Sequence, residues 1–265
     1  MEVHVAFLPQ EAGDVRCRVA VVIDVLRATT SMLTLLERGC AEVVVAPSVE
    51  AARRYAAESA RRRVVSAIEA GRRGGDDPPA ISARPVRTAG EEGGLAPAGF
   101  EFGNSPSAFA RADVTGSRFV IATTNGTRAL HAVRGAPAVF TACLRNRAAA
   151  ARAAADAALR GGFDLTVVCA GREGRFSLDD AYAAGGVVEA VAEHLAGRAA
   201  YTSTDAVLAA RTLYHAWSDP IDVFRQTAGG RNILAIGLEE DLCYCAVRDC
   251  SELVPRVGEG LTLLE

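Results

Sequence analysis

The sequence predicts an α/β protein whose sheet, largely parallel or mixed, is covered by helices. Three apolar runs, at 19–23, 118–123 and 164–170, are rich in β-branched residues and too short for core helices, so they predict buried strands. Each run leads into a polar turn and then into a helical pattern. Strands that alternate with helices are typical of a parallel sheet with helices packed on its faces.

The remaining elements follow from local pattern and from capping residues. Further strands are predicted at 42–46 and 137–142, with an edge strand at 1–8 and a closing strand at 252–257. Apolar periodicity predicts the helices, which span 28–38, 49–62, 129–133, 145–159, about 181–194, 202–217, 219–228 and 239–245. Gly39 suits the end of the first helix, and Gly229-Gly230 predicts a break.

Two long loops differ in composition. The stretch 71–85 is rich in Gly, Arg, Asp and Pro, which predicts a mobile surface loop. The stretch 90–106 is also Gly-rich, but Leu95, Phe100 and Phe102 give it apolar anchors. We therefore expect this second loop to be ordered and functional.

The pattern of strand, polar turn and helix recurs later in the chain. Placing Gly39 over Gly135, which lies 96 residues further on, aligns strand, turn, helix, strand and helix in both copies. We therefore predict an internal duplication. The length predicts a single compact unit of residues 1–265, with two closely packed halves at about 1–114 and 115–265 as the finer division.

Composition excludes several classes of function. A net charge of −3 and a hydrophobic content of 50% do not suit a nucleic-acid binder. No apolar run approaches the ~20 residues of a membrane helix, and Met-Glu-Val-His at the start lacks a basic signal region. The seven scattered cysteines indicate free thiols and hence the cytoplasm. All 29 basic residues are arginine, which excludes Schiff-base chemistry on lysine.

The polar turns after the three strands carry the candidate chemistry. Ligands bind beyond the carboxyl ends of the strands in open α/β sheets, so we expect the turns at 24–30, 124–128 and 171–180 to meet in one crevice that the 90–106 loop can cover. The available oxygen ligands are Asp24, Glu91, Glu92, Glu173, Asp179 and Asp180. Oxygen ligands without clustered histidines favour Mg²⁺ over zinc. Four arginines, at positions 27, 128, 172 and 175, are placed to face a bound anion.

A plainer structural reading stays open for each motif. Asp24 is a residue type that caps helices, and Thr29 and Thr30 are ordinary first-turn residues. Asn-Gly at 125–126 is a common turn dipeptide, although its place between a strand and a helix favours an anion nest. Asp179-Asp180 also complements a helix dipole.

Cys169 offers a second route to phosphatase chemistry. The stretch from Cys169 to Arg175 spells Cys-x5-Arg after a strand, which resembles the phosphate loop of cysteine-dependent phosphatases. Val168 stands where those enzymes usually have His, and Phe176 where they have Ser or Thr. A buried strand cysteine is the alternative.

Four motifs in order resemble the 2-phosphosulfolactate phosphatase family, the ComB-type enzymes of coenzyme M biosynthesis. The motifs are Val-Ile-Asp-Val-Leu-Arg-Ala-Thr-Thr, Gly-Phe-Glu-Phe-Gly-Asn-Ser-Pro, Thr-Thr-Asn-Gly-Thr-Arg-Ala and Cys-Ala-Gly-Arg-Glu-Gly-Arg-Phe-Ser-Leu-Asp-Asp. The resemblance implies an α/β protein and Mg²⁺-dependent hydrolysis of 2-phosphosulfolactate to sulfolactate and phosphate. Two positions depart from the family pattern, since Glu92 stands where Arg is usual and Glu101 where Asp is usual.

Our working mechanism places Mg²⁺ on Asp24, Glu91 and one or both of Asp179 and Asp180. Asp24 and Arg27 are the predicted catalytic residues, and the nucleophile is either a water molecule or Asp24 itself. The residues predicted to bind a small anionic phosphorylated substrate are Arg27, Thr29, Thr30, Asn104, Ser105, Thr124, Asn125, Gly126, Thr127, Arg128, Glu173 and Arg175. A non-catalytic binder of anionic metabolites, motivated by Glu92, is the alternative from another class. A homo-oligomer stays open.

Overall fold

The sheet of this protein contains strands from both ends of the chain. A computed structural model describes the backbone of residues 1–73 and 85–264 and the side chains of 1–62 and 85–263. The strands are β1 Glu2–Ala6, β2 Arg18–Ile23, β3 Glu42–Ala46, β4 Val86–Gly90, β5 Arg118–Ala122, β6 Val139–Ala142, β7 Asp164–Cys169, β8 Thr202–Ser203, β9 Arg256–Val257 and β10 Thr262–Leu264. They form one sheet in the order β4-β5-β3-β10-β9-β6-β2-β7-β1-β8.

Helices connect most of these strands. The α-helices are α1 Ala28–Glu37, α2 Val49–Arg73, α3 Pro106–Arg111, α4 Thr124–Ala132, α5 Arg147–Gly161, α6 Leu178–Leu195, α7 Asp205–Ala216, α8 Pro220–Gln226, α9 Ala228–Ala235 and α10 Glu239–Ala246. The predicted α/β fold with a mixed sheet is therefore confirmed. Within the described ranges, no helix is both long enough and apolar enough to cross a membrane.

The sheet consists of two parallel groups joined by an antiparallel hairpin. Strands β4, β5 and β3 run parallel to one another, and so do β6, β2, β7, β1 and β8. The β9–β10 hairpin pairs antiparallel with β6 on one side and with β3 on the other. The two groups consequently run in opposite directions through the sheet.

Strand order also bears on the predicted duplication. The sequence of strand, helix, strand and helix occurs as β2-α1-β3-α2 and again as β5-α4-β6-α5. The two copies exchange partners, since the first strand of each pairs with the second strand of the other: β2 with β6, and β5 with β3. Each first strand also pairs with the strand that follows the opposite copy, β2 with β7 and β5 with β4.

The carboxyl ends of both groups meet on one side of the molecule. Residues that follow β2 and β7 of one group and β4 and β5 of the other line the same small cavity. One face of the sheet packs against α1 and α4, whose Met32 and Leu130 share a core with Val22 of β2 and Ile121 of β5. A second core, on the other face of β2, contains Ile23 with α5 and α6.

Several element boundaries differ from the predictions. Strand β1 is not the edge strand, because the short β8 pairs with its outer side. Helix α2 continues to Arg73, and the predicted loop at 71–85 otherwise lies mainly outside the described residues. The predicted turn at 124–128 is the first turn of α4. The predicted closing strand at 252–257 is reduced to β9, and β10 follows it because Leu263 pairs with Val43 in the core.

The predicted break at Gly229-Gly230 is instead the first turn of α9. The Thr227 side chain caps this helix by accepting a hydrogen bond from the Gly230 N–H at 2.9 Å. Glycine is needed here for space rather than for flexibility, because a Cβ at Gly230 would clash with the carbonyl oxygen of Phe224. Packing against α8 thus explains Gly230, which local preference assigns to a turn.

Candidate active site

The carboxyl ends of β2, β4, β5 and β7 meet around a small buried cavity. Its volume is about 20 Å³, which is enough for one ion or water molecule. We call this cavity the acidic niche. Its lining consists of Asp24, Leu26, Glu91, Asn125, Gly171, Arg172, Ser177, Asp179, Asp180 and Gly229. The structure therefore brings together the four predicted metal ligands, Asp24, Glu91, Asp179 and Asp180.

Asp24 lies where β2 ends and α1 has not yet begun. From the part of the chain that the structure describes, its carboxylate accepts a single hydrogen bond, a long one of 3.4 Å from the Ala28 N–H. It faces Gly126, where a Cβ would lie 3.2 Å from Oδ2. The residue is 9% exposed. Burial, together with the negative charges of Glu91 and Asp179, raises the pKa of Asp24 to about 7.

Asp180 joins two of the turns from the first turn of α6. Its two carboxylate oxygens accept hydrogen bonds from the Val25 N–H at 2.9 Å and from the Gly171 N–H at 3.0 Å. Burial and the charges of Asp179 and Asp24 raise the pKa of Asp180 well above its ordinary value. The sequence alternative, in which Asp180 only complements a helix dipole, leaves these two contacts unexplained.

Asp179 faces a different helix end. Its Oδ1 accepts hydrogen bonds from the Ser177 hydroxyl and from the Asp180 N–H. Its Oδ2 lies against the first turn of α9, where a Cβ at Gly229 would be 2.5 Å away. Gly229 therefore gives this carboxylate the room that any larger residue would fill.

The donor set of the niche fits Mg²⁺ better than a soft metal, because carboxylates are hard oxygen ligands. The carboxylates are not tightly clustered, however. In the described part of the chain, the group whose ligand atoms all lie within 4.8 Å of one another is Glu2, His4 and Asp164, at the opposite strand ends. Mg²⁺ usually keeps several waters and binds one or two carboxylates directly, so the wider spacing of the niche suits it.

Arg27 does not line the niche, although it follows Asp24 closely in sequence. Its guanidinium donates to Asp241 Oδ2 at 2.9 Å, to Glu91 Oε2 at 3.2 Å and to the Gly94 carbonyl at 2.6 Å. Only 2% of this side chain is exposed. Arg27 is thus bound to protein groups on both sides of its guanidinium.

A larger cleft opens next to the niche and shares Glu91, Asn125 and Arg172 with it. The cleft volume is about 510 Å³. Its lining consists of Ser48, Val49, Glu50, Glu91, Glu92, Gly93, Gly94, Thr124, Asn125, Arg128, Arg172, Glu173 and Asn232. Arg128 and Arg172 supply its positive charge, and neither has a carboxylate partner among the described residues.

Two tight turns flank the cleft at equivalent strand ends. Gly93 and Gly94 after β4 have φ of 62° and 91°, and Glu173 and Gly174 after β7 have φ of 54° and 75°. Glu173 is therefore a non-glycine residue in the left-handed region, which costs of order 1 kcal/mol. Its N–H donates to Asn125 Oδ1 at 3.2 Å, and this bond ties the turn after β7 to α4.

Other predicted substrate ligands lie outside both cavities. The hydroxyls of Thr29 and Thr30 donate to the backbone carbonyls of Asp24 and Val25, at 2.9 Å each. The Thr127 hydroxyl donates to the backbone carbonyls of Thr123 and Ala46. These three residues hold the turns in shape. Their predicted contact with substrate stays a prediction.

Three more of the predicted substrate ligands, Asn104, Ser105 and Arg175, also line neither cavity, and their contact with substrate stays a prediction as well. Asn104 and Ser105 are buried in front of α3, where the Ser105 hydroxyl donates to Asp241 at 2.7 Å. Arg175 is exposed in the turn after β7 and belongs to the lining of neither cavity.

The two departures from the family pattern have different surroundings. Glu101 forms an ion pair with Arg87, whose Nε and Nη2 atoms both donate to it. Glu92 is exposed and lines the cleft. Of the two, only Glu92 therefore adds negative charge where a ligand would enter.

Cys169 is fully buried at the end of β7. Burial, followed by the charges of Asp180 and Asp179, raises the pKa of this thiol well above its ordinary value. A thiolate nucleophile needs the opposite environment, an electropositive and partly exposed one. The geometry thus favours the alternative reading of Cys169 as a core residue.

The residues of this region that were not predicted from the sequence include three from the C-terminal part of the chain. Gly229 lines the niche, Asn232 lines the cleft, and Asp241 is completely buried beside Arg27. Asp241 follows Glu239 and Glu240, so in sequence it resembles an ordinary acidic first turn of a helix. No local pattern separates it from its two exposed neighbours.

Comparison with known proteins identifies the family. The profile described as 2-phosphosulpholactate phosphatase matches residues 6–260. A relative from Deinococcus radiodurans, named "Probable 2-phosphosulfolactate phosphatase", is 37% identical over 243 residues, which cover 91% of this chain and 88% of the relative. A relative of the same name from Thermus thermophilus is 36% identical, and the match covers 92% of this chain and 91% of the relative. Another from Gloeobacter violaceus is 35% identical, and the match covers 97% of this chain and 95% of the relative. The chain belongs to the 2-phosphosulfolactate phosphatase family.

Proposed function

We propose that this protein is a Mg²⁺-dependent phosphatase that hydrolyses 2-phosphosulfolactate to sulfolactate and phosphate. Family membership supports the reaction type. The observation that carries the proposal is a niche lined by carboxylates next to a cleft whose arginines have no carboxylate partner in the described part of the chain. The carboxylates suit a hard divalent cation and the arginines suit a phosphorylated anion.

Asp24, Glu91 and Asp179 are the proposed ligands of Mg²⁺. Asp180 accepts two backbone hydrogen bonds, so we assign it chiefly to holding the turns after β2 and β7 together around the metal. When bound, Mg²⁺ would supply Lewis-acid stabilisation of the phosphoryl oxygens. One or two of these three carboxylates would bind the ion directly and the remainder through water, which is the usual coordination of Mg²⁺ in proteins.

The protein's own groups would orient the substrate. Arg128 and Arg172 attract the anion into the cleft, which is also lined by Thr124 and Asn125 at the N-terminus of α4, a position that favours anions. A bond forms between the attacking oxygen and phosphorus, and the bond from phosphorus to the C2 oxygen of the substrate breaks. The released sulfolactate takes up the proton that water loses.

Two chemical roles of Asp24 remain alternatives. Asp24 either accepts the proton of an attacking water or attacks phosphorus to form an aspartyl phosphate that water then hydrolyses. Rapid quenching of the reaction with labelled substrate distinguishes the two routes, because only the second labels the protein. We propose the cytoplasm as the place of the reaction, since all seven cysteines are free thiols.

Phosphate release from 2-phosphosulfolactate tests the proposal. We expect turnover by the wild type with Mg²⁺, loss of turnover with a chelator, and loss in Asp24→Asn. Turnover that survives the chelator but disappears in Cys169→Ser would support the thiol route instead. Thermal stabilisation by the substrate without any phosphate release would support the non-catalytic binder.

The substrate assignment needs its own comparison because of Glu92. 2-Phospholactate lacks the sulfonate but keeps the phosphate and the carboxylate. We expect Glu92→Arg to lower the KM for 2-phosphosulfolactate more than that for 2-phospholactate. Since Glu101 is paired with Arg87 outside the cleft lining, Glu101→Gln is the matched control and is expected to change neither KM.

A further inference from the structure

Asp241 is a buried carboxylate that the proposed reaction does not use. It lies in the first turn of α10, is 0% exposed and lines neither the niche nor the cleft. Its Oδ1 accepts hydrogen bonds from the hydroxyls of Ser105 and Ser107, at 2.7 and 2.6 Å, and from the Ser107 N–H at 3.1 Å. These donors fix the carboxylate from the side of α3.

The other carboxylate oxygen of Asp241 connects it to the niche. Oδ2 accepts from Arg27 Nη1 at 2.9 Å, and Arg27 Nη2 donates in turn to Glu91 Oε2 at 3.2 Å and to the Gly94 carbonyl at 2.6 Å. Glu91 belongs to the lining of both cavities. A continuous set of hydrogen bonds therefore runs from α3 and α10 to a proposed Mg²⁺ ligand.

Charge balance explains why two carboxylates contact one arginine. Arg27 is 2% exposed and so interacts strongly with its immediate partners. Without Asp241, Glu91 would be the one carboxylate of the described residues in contact with Arg27, and it would then attract a cation weakly. With Asp241 opposite, Arg27 and Asp241 form a neutral pair, and Glu91 keeps its negative charge towards the niche.

We infer that Asp241 is a positioning residue that acts through Arg27 on Glu91. It fixes the Arg27 side chain and cancels its charge, so that the Glu91 carboxylate is held at the niche as an anion able to bind Mg²⁺. This inference rests on the proposed function. It also assigns Arg27 to holding Glu91 in place, which differs from the direct contact with phosphoryl oxygens that the sequence predicted.

Mg²⁺ affinity, measured by calorimetry in parallel with phosphate release, tests the inference. Residues behind metal ligands typically contribute about 10–100-fold to metal affinity, so we expect a loss of that size in Asp241→Asn. Ser107→Ala removes one of the hydrogen bonds to Asp241 and keeps the carboxylate, so a smaller loss in the same direction is expected from a variant that retains the fold. Ser31→Ala is the matched control, because the buried Ser31 hydroxyl donates to the Asn104 carbonyl instead.

A double-mutant cycle with Glu91→Gln separates positioning from a general structural effect. If Asp241 acts through Glu91, then Asp241→Asn will change the Mg²⁺ affinity much less in the Glu91→Gln background than in the wild type. Equal losses in both backgrounds, or Mg²⁺ affinity in Ser107→Ala and Asp241→Asn equal to that of the wild type, would overturn the inference alone. Absence of Mg²⁺ binding and of phosphate release in the wild type would overturn the proposed function and the inference together.

Discussion

Replacing Asp24 by asparagine is expected to stabilise the metal-free protein at alkaline pH while it removes the proposed activity. The asparagine side chain has nearly the shape of aspartate without its charge. The wild-type carboxylate is buried, has Glu91 and Asp179 nearby, and accepts one long hydrogen bond from Ala28. Its ionised form is therefore better solvated in the unfolded chain than in the native protein.

The size of the effect follows from the pKa of Asp24. The gap between an ordinary aspartate pKa of 3.8 and about 7, at about 1.4 kcal/mol per pKa unit, amounts to about 4 kcal/mol. Because the pKa of Asp24 is raised in the native state, the contribution of Asp24 to the free energy of unfolding is greatest below pH 4. This contribution decreases as the pH rises and reaches its minimum above pH 7. Asp24→Asn has no ionisable group at this position, so its free energy of unfolding does not decrease in this way. At pH 8 it should exceed that of the wild type by up to about 4 kcal/mol.

Urea denaturation of both proteins in a chelating buffer, at pH 4.0 and pH 8.0, measures this difference. The free energies of unfolding are expected to be similar at the lower pH and to diverge at the higher one. Added Mg²⁺ should stabilise the wild type selectively, because only its niche keeps the Asp24 charge. A variant that is less stable than the wild type at pH 8, or a difference independent of pH, would refute the reasoning.

Three further outcomes are expected. Cys169→Ser should keep at least about half of the phosphate release, since the buried thiol is held neutral, and loss of activity in a folded variant would contradict this. Gly229→Ala places a methyl group 2.5 Å from Asp179 Oδ2, so it should weaken Mg²⁺ binding, measured by calorimetry, about ten-fold. Gly103→Ala is the control and should leave Mg²⁺ binding unchanged, because the nearest atom to its methyl group is 3.5 Å away. Arg128→Ala should raise the KM about two- to five-fold, and the ratio of the variant KM to the wild-type KM should be smaller at high salt. A ratio that does not change with salt would exclude a charge effect.

Much of the fold could be predicted because its strands are short apolar runs bounded by polar turns. The strands at 42–46 and 118–122 match their predicted bounds within a residue, since each is buried on both faces. Long-range packing decided the exceptions. Gly229 and Gly230 lie in a helical turn where Asp179 and the Phe224 carbonyl leave no room for a side chain. Strand β10 pairs with a strand more than two hundred residues earlier.

The candidate site was predictable to a similar extent and for a related reason. Asp24, Asn125 and Asp180 were expected to meet because each lies in a turn that follows a predicted strand, and Glu91 because its loop was expected to cover the same crevice. The topology places all four around one niche. The sequence could not show which of several neighbouring polar residues face the site and which bond to other parts of the protein. Thr29 and Thr30 bond to the backbone within their own turn, and the partner of Arg27 on α10 is 214 positions away in the chain.

The exchange of strands between the two repeated stretches has a consequence for how the protein is assembled. A single repeat cannot complete its own sheet, because its first strand needs a neighbour that the other repeat provides. The lining of the niche is shared in the same manner, with Asp24 supplied by the earlier repeat and Asn125 by the later one. Neither half, expressed separately, would therefore contain a complete site. The two halves would have to associate, like the subunits of an obligate dimer, to form one.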